Sequence, residues 1–239
     1  MVSISGIGVW GDSIGKGIIY DEARGRYMIY GDNCFSRLAR ELEIPVDNYA
    51  AMGLTAPQGA AKMESAAMRE GGIAVIEFGG NDCDMPWAEI SKAPDEDHQP
   101  KTPIAEFREA LARLVQRARK GGMQPVLAVP PPLGAERYFK FLSKGLNAEA
   151  ILSFLGDVQR IYRWQERYAG AVRDVALKTS AAILDFRDAF LAERSVDSFL
   201  CVDGIHPNPR GHALIWEVVT GFLQNGAAEG RWSLAADPV

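Results

Sequence analysis

Ser13 stands in Gly11-Asp12-Ser13, directly after an apolar run over residues 4–10. Far along the chain, Asp203-Gly204-Ile205-His206-Pro207 sets a carboxylate three residues before an imidazole. Between them lie Gly53, in Ala51-Met52-Gly53-Leu54-Thr55, and Asn81, in Gly79-Gly80-Asn81-Asp82. These are the parts an acyl-transfer site needs. A serine hydroxyl is a weak nucleophile until a base takes its proton. His206 titrates near neutral pH and suits that task. Asp203 can hold the ring through its other nitrogen and stabilise the imidazolium. The developing oxyanion needs fixed donors. The backbone N–H groups of Ser13 and Gly53 and the Asn81 side-chain amide would supply three, each worth about 3–4 kcal/mol of barrier. Glycine at 53 lets an N–H approach a substrate oxygen with no Cβ in the way.

Such residues must be brought to one place by the elements that carry them. Residues 4–10, 46–50, 73–78, 126–129 and 181–186 read as strands, the third a continuous apolar run expected of a strand covered on both faces. Between them, residues 33–41, 56–69, 157–178 and 209–223 read as helices. A further strong helix has Thr102 as N-cap and Pro103 in its first turn, and Gly121-Gly122 closes it. Alternation of this kind predicts an α/β fold: a five-stranded, mostly parallel sheet with helices on both faces, a three-layer α/β/α sandwich. Ligands bind such sheets beyond the carboxyl ends of the strands. Ser13, Gly53 and Asn81 follow the first three strands, and the Asp-x-x-His segment precedes the last helix.

Two excursions break the rhythm. Residues 84–101 are polar and proline-rich, with Pro86, Pro94, Pro100 and the acidic run Asp95-Glu96-Asp97. Residues 133–156 are partly helical and aromatic, with Tyr138, Phe139, Phe141 and Phe154. Loops that long within a compact domain are functional or mobile. Residues 1–239 read as one domain with no internal repeat, and the tail from Gly226 is weakly patterned.

The four blocks in this order resemble the SGNH/GDSL hydrolase superfamily. Gly11-Asp12-Ser13 matches its first block, Gly53 its second, Gly79-Gly80-Asn81-Asp82 its third and Asp203-Gly204-Ile205-His206-Pro207 its last. The resemblance spans residues 11–207 and implies a flavodoxin-like fold. It maps the nucleophile to Ser13, the base and its orienting acid to His206 and Asp203, and the oxyanion donors to Ser13, Gly53 and Asn81. The block Gly-Asp-Ser-Ile replaces the family's commoner Gly-Asp-Ser-Leu, an aliphatic swap. The implied activity is a serine esterase or acylhydrolase working through an acyl-serine intermediate. Short-chain or O-acetyl esters, including acetylated carbohydrate, are the expected substrates. Acyl transfer to an alcohol, or thioester cleavage, would use the same site. No cofactor and no metal are called for.

Composition narrows the field further. The chain has 239 residues, 47% hydrophobic and 24% charged, enough to bury a full core without staples. A net charge of -5 argues against a nucleic-acid partner held by phosphate neutralisation. Three histidines and three widely spaced cysteines support neither a His-rich metal site nor a disulfide framework. The N-terminus lacks a basic n-region and no apolar run approaches the ~20 residues of a bilayer span, so a cytoplasmic protein is expected.

Other residues are weighed against plainer roles. Asp12 and Asp82 flank the site residues and read as turn and loop supports. His212 reads as packing or solvated, and His98 as solvated within its charged loop. Cys83 and Cys201 lie near the site in sequence, but neither occupies the strand-to-helix turn, and both read as small apolar fillers. Tyr20, Tyr27, Trp87, Tyr138 and Trp164 are candidates for a pocket wall, with core packing the competing role. Gly6-Ile7-Gly8-Val9-Trp10-Gly11 fits a dinucleotide fingerprint by letters, and residues 11–17 hint at a phosphate loop. Both are weak, because the first lacks a preceding strand and the second has three rather than four residues between its glycines.

Overall fold

The structure, a computed structural model, describes residues 4–233. Seven strands run β1 (Ile7–Gly11), β2 (Ile18–Asp21), β3 (Arg26–Ile29), β4 (Val46–Asn48), β5 (Ile73–Glu77), β6 (Gln124–Val129) and β7 (Ala182–Asp185). Ten helices are α1 (Ser13–Lys16), α2 (Cys34–Glu41), α3 (Ala56–Glu64), α4 (Trp87–Ile90), α5 (Ile104–Lys120), α6 (Ala135–Leu142), α7 (Ala148–Leu155), α8 (Arg160–Thr179), α9 (Phe186–Ala192) and α10 (Pro209–Ala228). A 3₁₀ turn covers Val196–Phe199.

Five strands form one sheet in the order β4-β1-β5-β6-β7. Every pairing in it is parallel. Counted within this sheet alone, the order is 2-1-3-4-5, the flavodoxin-like doubly wound arrangement. Alternate side chains of a strand point to opposite faces, and the two cores divide that way. Trp10, Ala74, Ile76, Leu127 and Val129 meet α3, α5 and α8 on one face. Ile7, Val9, Ile73, Val75, Val126 and Ala128 meet α2, α9 and α10 on the other. Continuous apolar runs are the consequence of covering both faces.

Most helix starts follow from local chemistry. Asn33, Asn147, Asp185 and Asn208 accept backbone N–H groups from the first turns of α2, α7, α9 and α10. Thr102 does not cap α5 as expected. Pro103 takes that position, because Thr102 is drawn inward: its N–H donates to the Asp82 carbonyl at 3.0 Å, and its carbonyl accepts the Tyr168 hydroxyl at 2.6 Å.

Several element boundaries differ from expectation, and β1 begins at Ile7 rather than residue 4. β4 stops at Asn48, whose side chain turns the chain by accepting the Ala50 N–H. α3 ends at Glu64 rather than 69, and Arg69 instead reaches back to pair with Asp47 at 2.9 Å. α8 begins at Arg160 rather than 157. α10 runs on to Ala228, because Trp232 folds back against Gly226 and donates its indole N–H to the Leu223 carbonyl at 2.9 Å. The expected weak patterning of the tail therefore fails as far as residue 233, while residues 234–239 lie outside the described part, as do residues 1–3. β2 and β3 form an antiparallel hairpin in a stretch for which the sequence reading gives no strand. Its alternation, Ile-Ile-Tyr-Asp and Arg-Tyr-Met-Ile across a short turn, is the signal that marks it. The dinucleotide reading is excluded, because β1 itself spans Ile7–Gly11 and Gly8 lies inside the strand. No helix among the described residues is long and apolar enough to cross a membrane.

The excursions fold together. Residues 84–101 contribute α4, and residues 133–156 contribute α6 and α7. Met85, Ile90, Leu133, Ile151, Leu155 and Ile161 form a third apolar cluster between them. This cluster roofs the carboxyl edge of the sheet.

Gly59 marks the tightest helix-to-sheet approach near the site. A Cβ there would strike the ring of Phe78, which is buried just after β5. Gly59→Ala is expected to destabilise the fold by about 1–3 kcal/mol through overpacking, read as a lower midpoint in urea unfolding with an unchanged slope.

Candidate active site

β1 ends at Gly11, and the chain turns at once into the single turn α1. Asp12 makes that turn: its Oδ1 accepts the Ile14 N–H at 2.9 Å. Gly17 closes α1 in the left-handed conformation, φ +80°. Asn48 on the neighbouring strand donates to the Gly15 carbonyl at 2.9 Å and anchors the turn from outside. Ser13 is thereby held at the carboxyl edge, 7% exposed.

The Asp203 and His206 segment arrives from the other end of the chain. Asp203 Oδ1 accepts the backbone N–H groups of Ile205 and His206, both at 3.1 Å. Its Oδ2 accepts His206 Nδ1–H at 2.6 Å. With Nδ1 carrying the proton, Nε2 is the acceptor, and it lies 2.9 Å from Ser13 Oγ. Asp203 is fully buried. Burial opposes its charge, but the His206 contact and the two N–H donors prevail and hold the carboxyl below its ordinary value. A hydroxyl so placed can pass its proton to His206 as it attacks a carbonyl carbon, and a charged Asp203 stabilises the imidazolium that results.

Ser13, Gly53, Asn81 and His206 border one cavity of about 180 Å³. Gly53 has φ +82° and open space where a Cβ would be. The N–H groups of Ser13 and Gly53 have no acceptor among the described residues. One hydrogen of the Asn81 amide goes to Asp12 Oδ2 at 3.2 Å, which leaves the other for a substrate oxygen. These three donors belong to residues that border the same cavity.

The expected wall residues divide. Tyr27, Trp87, Tyr138 and Trp164 line the cavity. Tyr20 does not: it lies in a separate surface cleft with Phe141 and packs edge-on against Tyr27, centroids 5.1 Å apart. The other neighbours of each ring decide it: Tyr20 packs edge-on against Phe141, 5.4 Å between centroids. Tyr20 and Tyr27 face each other across the hairpin, and only Tyr27 is turned to His206, 5.0 Å between centroids. His98 is not solvated as expected. Its Nε2 meets the Ala93 carbonyl at 2.7 Å and its ring packs edge-on against Phe154. His212 is buried beside Tyr30, and burial lowers it to about 4. All three cysteines are buried and unpaired. Cys83 borders the cavity, while Cys201 Sγ accepts the Tyr20 N–H at 3.4 Å. Asp82 accepts the Ala56 N–H at the start of α3, 2.9 Å.

Two residues escaped sequence reasoning. Asp84 accepts the Trp87 indole N–H at 2.8 Å, the Tyr138 hydroxyl at 2.7 Å and the Lys101 ammonium at 2.8 Å. It ties the two excursions together over the cavity, and no local pattern marks it. Glu77 is fully buried under the Ser13 turn. A charged residue inside an apolar strand was the available signal.

A family profile for GDSL-like lipases/acylhydrolases matches residues 9–214. The chain belongs to that family, whose members act on ester bonds. Solved structures agree in fold. A lipase/acylhydrolase from Enterococcus faecalis superposes with TM-score 0.66 at 20% identity, covering 99% of this chain and 100% of its own. An acetyl-xylooligosaccharide esterase from Geobacillus gives 0.62 at 18%, covering 92% and 94%. The psychrotrophic esterase EstA from Pseudoalteromonas gives 0.59 at 13%, covering 94% and 99%. Comparison with curated proteins yields no match.

Asp203→Asn keeps the size of the side chain but cannot hold the same tautomer of His206. It is expected to lower kcat on an activated ester by on the order of 10⁴-fold, with an unshifted melting temperature showing that the fold is retained.

Proposed function

We propose that this protein is a serine esterase, one catalytic domain that cleaves small carboxylic esters through an acyl-Ser13 intermediate. The observation that carries the proposal is the hydrogen-bonded chain from Ser13 through His206 to Asp203 at the mouth of an apolar cavity. Ser13 Oγ attacks the ester carbon while His206 Nε2 takes its proton. The carbonyl oxygen becomes an oxyanion that accepts from the N–H groups of Ser13 and Gly53 and the amide of Asn81. The carbon–alcohol bond then breaks, and the alkoxide leaves with the proton from His206. Water repeats the sequence: His206 takes its proton, the acyl group passes to hydroxide, and Ser13 recovers its hydrogen.

The cavity speaks to the acyl group. Its walls include Met85, Leu133, Phe154, Leu155, Ile161 and Trp164. An apolar cavity of about 150 Å³ holds a benzene molecule, so about 180 Å³ suits an acyl group of roughly six to eight carbons. An acetyl group would leave most of it unfilled. The acetyl expectation is supported by the printed substrate of the Geobacillus fold neighbour, at an identity that carries fold alone. The cavity therefore favours the longer chain.

A p-nitrophenyl ester series from acetate to palmitate tests both parts. In Ser13→Ala, hydrolysis is expected to fall by on the order of 10⁴-fold or more, and a fluorophosphonate should label wild type at Ser13 alone. Activity that survives in Ser13→Ala refutes the mechanism. For wild type, kcat/KM should rise from acetate to a maximum near hexanoate or octanoate. A steady fall from acetate onward returns the acyl group to the short-chain class.

A further inference from the structure

β5 reads Ile-Ala-Val-Ile-Glu and is buried throughout. Glu77 closes it with a side chain that has no exposed surface. No ion pair among the described residues includes Glu77 or Asp12. Glu77 Oε2 accepts the Gly15 N–H at 3.1 Å, inside the turn that carries Ser13. Its Oε1 is buried and has no protein donor. The neighbouring acid is Asp12, 1% exposed, whose backbone N–H donates to the Glu77 carbonyl at 3.2 Å and whose charge bears on the Glu77 carboxyl.

Two neighbouring carboxyls buried without a cation are not both ionised, so one of them keeps its proton. The surrounding donors decide which residue carries it. Asp12 has the Ile14 N–H at 2.9 Å and the Asn81 amide at 3.2 Å. Glu77 has one N–H and a bare oxygen. The negative charge is better solvated on Asp12, and the proton belongs on the bare Oε1.

We infer that Glu77 is a neutral positioning residue whose carboxyl donates to Asp12, fixing the single carboxylate that holds both the Ser13 turn and the Asn81 amide. The inference rests on the assignment of Ser13 and Asn81 as nucleophile and oxyanion donor. Burial, and then the charge of Asp12, raise the Glu77 carboxyl well above 4.5. Burial also raises Asp12, against the pull of the Ile14 N–H, Glu77, His206 and Asn81. Asp82, which burial raises to about 6, and the Cys83 thiol, which burial raises well above 9.0, are the further ionisable groups near the pair.

Glu77→Gln and Glu77→Leu separate a proton donor from an ionised carboxylate. Glutamine can donate its amide N–H to Asp12 and accept from Gly15, so kcat should stay within about threefold of wild type. Leucine removes the donor, and kcat should fall by about tenfold or more with a smaller change in KM. Thermal midpoints measured from about pH 5 to about pH 8 give a second readout. In wild type the unfolded Glu77 ionises above 4.5 while the folded one keeps its proton. The contribution of Glu77 to wild-type stability is therefore greatest in acid and is lost as pH rises. Glutamine lacks that dependence, so its midpoint should gain on wild type with rising pH. The difference between the two proteins cancels the contribution of Asp82.

A Gln variant as impaired as Leu overturns the inference, because ionised Glu77 would then be the required form. A Gln midpoint that keeps level with wild type or loses ground to it as pH rises overturns it as well. Should Glu77→Leu not fold, wild type and Glu77→Gln decide both points. Absence of esterase activity in wild type would strike the assignment of Ser13 alone, and the midpoint curves still locate the proton.

Discussion

The hydrogen bond from Ser13 to His206 joins residues 193 positions apart. Entropy opposes closure of such a span only weakly, since the cost grows with the logarithm of loop length. Holding the two atoms at 2.9 Å is the harder requirement, and it needs rigid supports on both sides. On one side β1 is hydrogen-bonded between β4 and β5 and stops at the turn that presents Ser13. On the other, Leu200 bridges Pro207, and the Cys201 N–H donates to the His206 carbonyl at 2.8 Å. Asn208 accepts from the first turn of α10 and donates back to the Ser198 and Leu200 carbonyls. The imidazole is thus pinned from before and after in sequence.

A parallel sheet makes this meeting general. Its strands all deliver their carboxyl ends to one edge, so the turns after β1, β4 and β5 become neighbours. The price is a concentration of buried acids at that edge: Asp12, Glu77, Asp82 and Asp203. Each is stabilised differently. Asp203 gathers three N–H donors and remains charged. Asp82 accepts the first free N–H of α3, which a helix N-terminus offers to any carboxylate. Asp12 and Glu77 are neighbours, and the proton inferred on Glu77 leaves one negative charge between them. Electrostatics at this edge is therefore set by hydrogen-bond supply rather than by cations.

The roof over the edge has a different origin. α4, α6 and α7 come from segments that interrupt the strand–helix alternation, and they cohere through their own apolar cluster. Asp84 joins them by three donors from Trp87, Tyr138 and Lys101. Arg160 closes the end of α7 by donating to the Phe154 carbonyl at 2.7 Å. The cavity's size and apolar character follow from this separate assembly, not from the sheet that carries the reacting groups.

Sequence alone determined the layered fold, the five strands of the main sheet and the four blocks at its edge, because each rests on local signals. Apolar runs reveal strands covered on both faces, capping residues mark most helix starts, and Gly-Asp-Ser or Asp-x-x-His is short enough to be read whole. The same locality explains the failures. Thr102 looks like a cap until Tyr168 and Asp82, distant in sequence, claim its backbone. Tyr20 and Tyr27 are equivalent aromatic residues until tertiary packing sets one against Phe141 and the other against His206. Glu77 is one letter in an apolar strand until Asp12 and Gly15 surround it. Only the tertiary structure decided the shape of the cavity and the partners of the buried acids, because both depend on which side chains share space, and space is shared by residues that the chain keeps far apart.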